Sequence, residues 1–61
     1  MDPNATYKMM TDSSLPLAER LQYAHDLSYW LHRGGFPPTI TGETQKDITL
    51  TIHACNNLLN A

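Results

Sequence analysis

The strongest pattern of apolar and polar positions lies in "SLPLAERLQYAHDLSYWLHRGG". With successive side chains turned by about 100°, Leu17, Leu21, Ala24, Leu27 and Leu31 gather on one helical face. Tyr23 and Trp30 widen that face, and Arg20 and Ser28 are its polar intruders. Glu19, Gln22, Asp26, Tyr29 and Arg33 fall on the opposite side. Ser14 reads as the cap, with Pro16 in the first turn. Arg33 falls in the last turn, and Gly34 stands where a left-handed C-terminal residue is wanted. The apolar arc is wider than one packing partner needs.

Upstream, "DPNATYKMM" predicts a short helix from Pro3 to about Met10, with Asp2 as its cap. Downstream, "ITLTIH" (residues 48–53) alternates like a strand and is rich in β-branched residues. Ile48, Ile52, Cys55 and Leu59 nevertheless recur at helical spacing, and one strand would have no sheet to join. A helix from about Gly42 to Asn60 is therefore expected, capped by Thr41, with Glu43 and Asp47 favoured by the helix dipole. A second ridge, Leu50, Ala54 and Leu58, is rotated away from the first. The expected fold is all-α: one domain over residues 1–61, a short N-terminal helix and two longer helices joined by a Gly-Gly-Phe-Pro-Pro turn.

In that turn Gly34 supplies a positive φ, Gly35 lets the chain reverse, and Phe36 folds back on the helix end. Pro37 and Pro38 block any continuation of the helix. "DPN" near the start, then Trp30-Leu31 two residues ahead of Gly-Gly-Phe-Pro-Pro, resembles short uncharacterised helical proteins of bacteria and phages. The resemblance runs to Pro38; it implies the helix-and-turn fold and brings no activity with it.

Size changes this picture. A chain of about 60 residues buries only ~60% of its unfolded surface, so such domains lean on disulfides, metals or oligomerisation. Cys55 is the only cysteine, which excludes an internal disulfide and suits a reducing, cytoplasmic setting. His25, His32, His53 and Cys55 lack metal-ligand spacing, so no metal or cofactor is expected. Homo-oligomerisation through Leu50, Ala54 and Leu58 is the expected supplement.

The net charge of −2 and the absence of a basic run exclude duplex nucleic acid as a partner. No apolar stretch reaches the ~18 residues of a membrane span, and "MDPNATYK" is not a signal peptide. No nucleophile and base share a recognisable arrangement, so an enzyme is not expected. Two readings remain. The first is a self-associating interaction protein whose spare apolar faces engage a partner protein, of the kind a phage uses as an inhibitor or accessory factor. The alternative is an oligomer that sequesters a nucleotide-like small molecule between subunits. Its candidate residues are Tyr29, Trp30, His32 and Arg33, with Thr39, Thr41 and Thr44 just beyond. Aromatics stack on bases, arginine forks to phosphate, and hydroxyls bind phosphate oxygens.

Overall fold

The computed structural model describes all residues, 1–61, as three helices without a strand: α1 (Pro3–Met10), α2 (Leu17–His32) and α3 (Thr44–Leu59). Residues 48–53 are helical. Their strand-like alternation is local, and burial of the α3 ridge overrides it. α2 packs against both other helices. Met10, Ala24, Leu27 and Cys55 form the core, with Tyr7, Tyr23, Trp30, Ala54, Leu58 and Leu59 packed around it. Met10 Sδ and Cys55 Sγ meet at 3.7 Å, so α1 reaches α3 across the core. No helix is long and apolar enough to cross a membrane.

Each helix begins by its own chemistry. Asp2 caps α1, its carboxylate accepting from the N–H groups of Asn4 (3.0 Å) and Ala5 (3.2 Å). Ser14 does not cap α2. Its N–H and hydroxyl both donate to Asp12, at 2.9 and 2.6 Å, which holds it in the preceding turn. Pro16 takes the cap position instead, outside the first turn. Arg20, a polar intruder on the apolar face by periodicity, donates from Nε to the Met10 carbonyl at 2.9 Å. It thereby satisfies an open carbonyl at the end of α1, where a cation also suits the dipole.

α2 ends as a Schellman motif. The Gly35 N–H donates to the Trp30 carbonyl at 2.9 Å, and the Gly34 N–H to that of Leu31 at 3.0 Å. Gly34 has φ +85°, as its position requires. Gly35 serves another purpose than reversal. A Cβ there would overlap the Trp30 indole, so the ring rests directly on the Gly35 backbone. The indole Nε1 then donates to the Phe36 carbonyl at 2.7 Å. Trp30 fills the place against the helix end that Phe36 was expected to take. The Phe36 side chain points outward and is 80% exposed.

The connector to α3 is held by side chains. Thr39 N–H donates to Asn4 Oδ1 at 2.7 Å, tying the connector to α1. Asp47, only 3% exposed, accepts from the N–H groups of Ile40 (3.2 Å), Thr41 (2.8 Å) and Gly42 (3.2 Å) and from the Thr41 hydroxyl (2.7 Å). The Glu43 N–H donates to Thr41 Oγ1 at 3.1 Å. Thr41 is therefore not the cap of α3, which starts after Glu43. Gly42, expected as the first helical residue, stands outside the helix with φ +90°.

The chain closes on itself. Its radius of gyration is 10.5 Å, the value of about 10.5 Å expected for a folded chain of this length. Its surface of 4103 Å² compares with about 4000 Å² expected for a monomer of 6.9 kDa.

The two glycines of the joint should respond differently to alanine. Gly35→Ala should cost about 1–3 kcal/mol by overpacking, because the indole cannot retreat without losing its bond to Phe36. Gly34→Ala should cost about 1 kcal/mol through its positive φ. Urea unfolding of both variants checks the order; equal costs would mean that the indole has room to withdraw.

Candidate functional site

Two open clefts flank the joint, and Trp30 and Met1 form a wall common to both. The first, of about 500 Å³, runs along the outer side of α2 past Asp26, Tyr29 and Arg33 to Gly34 and Gly35. The second, also about 500 Å³, lies between α1 and the connector, against Asn4, Phe36, Pro37, Thr39 and Thr44. Both volumes fall within the range of small-molecule sites.

Of the seven ligand residues expected from the sequence, five line these clefts. Tyr29, Trp30 and Arg33 line the first; Trp30, Thr39 and Thr44 line the second. The two sets meet only at Trp30. His32 and Thr41 line neither. His32 Nδ1 donates to the Ser28 carbonyl at 2.7 Å, turning the ring back along its own helix. The Thr41 hydroxyl is spent on Asp47 and on the Glu43 N–H.

The first cleft has the more defined chemistry. Arg33 Nη1 donates to the Tyr29 hydroxyl at 3.1 Å, and the guanidinium carbon lies 5.3 Å from the Tyr29 ring centroid. The cation is thus held in place by an aromatic neighbour one turn earlier. Asp26 stands at the other end and accepts from Gln22 Nε2 at 3.0 Å. From the sequence Asp26 reads as part of a solvated face. Its signal was its place on the stripe of Tyr29 and Arg33, three and seven residues on.

Asp47 borders the second cleft as a structural anion. Burial pushes its carboxyl up, but the hydrogen bonds from Thr41, Ile40 and Gly42 outweigh it and bring the group below the ordinary 3.8 of an aspartate. Asp12 is lowered too, chiefly by its bonds from Ser14. Burial pushes the Cys55 thiol up, so it stays protonated and unreactive in the core. No group of three or more His, Cys, Asp or Glu side chains gathers where it could hold a metal ion.

Of the ridge expected to join subunits, Ala54 and Leu58 pack against the chain's own core, and Leu50 is 42% exposed. Three of the more exposed apolar groups sit instead at the joint, Phe36, Tyr29 at 63% and Met1 at 55%, while Leu17, equally exposed, stands at the far end of α2. No family model matches the chain, and comparison with curated proteins and with solved structures gives no match either.

The Asp47 anchor carries a definite pH dependence. A carboxyl lowered by folding binds its proton more readily in the unfolded chain. Its contribution is therefore fully present above the ordinary value of 3.8 and is lost as pH falls through the lower folded value. Thermal unfolding from neutral pH down through the carboxylate range should show this loss. Asp47→Asn should be less stable than wild type at neutral pH and should have a flatter acid limb. An acid limb unchanged in Asp47→Asn would assign the loss to other carboxylates, Asp12 first.

Proposed function

We propose that the protein is a non-catalytic interaction module of the cytoplasm whose docking face is the aromatic joint at the end of α2, and that it engages a partner protein as a small inhibitor or accessory factor would. The observation that carries this reading is Phe36. Its ring is exposed, yet its backbone is held between a Schellman motif and a proline pair, with its carbonyl bonded to Trp30. An exposed aromatic on a fixed backbone loses little conformational freedom when it enters a partner's pocket. Large aromatics are also the side chains that carry most of the energy at protein interfaces. Tyr29 and Met1 extend the apolar surface to either side of Trp30. With a net charge of −2 spread over few charged groups, long-range fields contribute little, and fit must decide the partner.

Self-association is the second element of the reading. The chain has the compactness and surface of an ordinary monomer, so an interface between copies rests on the exposed Leu50 rather than on an unfilled core. A two-fold dimer through α3 would leave the joint free for its partner.

A photo-crosslinking residue at position 36 should trap a heterologous protein in the cell of origin, and one at position 50 should trap a second copy. Phe36→Ala should melt within about 0.5 kcal/mol of wild type, as surface substitutions do, and bind the trapped partner with a loss of about 2 kcal/mol or more. Crosslinks at 36 that contain only this chain would sink the partner reading. Light scattering that gives a 6.9 kDa particle at every concentration would remove the dimer.

A further inference from the structure

Along α2, Asp26, Tyr29, Trp30 and Arg33 follow at spacings of three, four and seven residues, and all four line the first cleft. They present, in order, an anion, two aromatic rings and a cation. Seven residues of α-helix put Asp26 and Arg33 about 10 Å apart along the axis. The cleft is thus polarised along its length. One end accepts hydrogen bonds, the other donates them to an anion, and the wall between suits a flat ring.

We propose that this cleft binds a purine mononucleotide, with the exocyclic amino group toward Asp26, the base against Tyr29 and Trp30, and the phosphate on Arg33. A purine mononucleotide carries its amino group and its phosphate at opposite ends, with the ring between, as the cleft requires. An inorganic anion would use only the Arg33 end, and an aromatic amino acid carries both its charges at one end. Arg33 is prepared for the role. Its guanidinium already rests on Tyr29, with Nη1 on the phenol oxygen, so little freedom is lost when its remaining N–H groups bind a phosphate. Gly34 and Gly35 leave the phosphate end of the cleft without side chains. Arg33 is the cleft's only cationic side chain, so the affinity is weak and NMR is the suitable measurement.

This site borders the proposed docking face and shares Met1, Tyr29 and Trp30 with it, but the partner reading is carried by Phe36, a residue outside this cleft. The test is a titration of the full chain with adenosine monophosphate, followed through backbone amide shifts. Saturable shifts at Tyr29, Trp30, Gly34 and Gly35 are expected. Arg33→Ala should weaken binding at least tenfold, the scale of one charge-assisted hydrogen bond. Asp26→Ala should weaken the nucleotide and leave inorganic phosphate unchanged. Phe36→Ala should leave the titration unaltered whether or not it abolishes partner binding. Absence of saturable shifts would overturn the proposal. So would inorganic phosphate matching the nucleotide in affinity, or full binding by a folded Arg33→Ala variant.

Discussion

One buried carboxylate sets the shape of the connector and, through it, of everything attached. Asp47 is the fourth residue of α3, and it collects the N–H groups of three consecutive residues that belong to no helix. With Asn4 serving Thr39, and Thr41 serving Glu43, five successive backbone donors find side-chain acceptors. The prolines before them have no N–H to satisfy. A loop can run against a small core only when its polar backbone groups are accounted for in this way. Pro38 is buried because that accounting is complete.

Trp30 performs the matching task at the other end of the joint. Its indole lies on Gly35, its Nε1 holds the Phe36 carbonyl, and its faces contribute to both clefts. One side chain therefore couples the end of α2 to the direction of the connector. Phe36 is outside because Trp30 has taken the apolar position at the helix end. The same contact that closes the fold leaves an aromatic ring in solvent.

The three helices were legible in the sequence because their periodicity extends over several turns and their ends carry Asp2, Gly34 and the proline pair. Periodicity also named Leu27 and Cys55 as interior. What it missed were interactions between residues distant along the chain. Arg20 reads as an intruder until the Met10 carbonyl is beside it. Asp47 reads as a first-turn acid until the connector folds back over it, which also takes Thr41 and Gly42 away from the helix start. The candidate site was legible as far as Tyr29, Trp30 and Arg33, because one helix presents them. Thr39 and Thr44 belong to a different cleft, on the other side of Trp30, and Asp26 was hidden by its resemblance to an ordinary solvated acid. Leu50, Ala54 and Leu58 form a ridge by angle alone; packing divides it, since the core absorbs two of the three.

The side-chain acceptors of the connector also bear on how the protein opens. Backbone amides outside helices usually exchange their hydrogens with water quickly, because nothing holds them. Here the amides of Thr39 to Glu43 are held by Asn4, Thr41 and Asp47. Asn4 belongs to α1 and Asp47 to the first turn of α3, so loosening of either helix end releases the amides that it holds. The connector thus belongs to the same cooperative unit as the helices that it joins, and would exchange with them rather than ahead of them. The second cleft, which Thr39, Gly42 and Asp47 line, therefore keeps that wall for as long as these bonds hold.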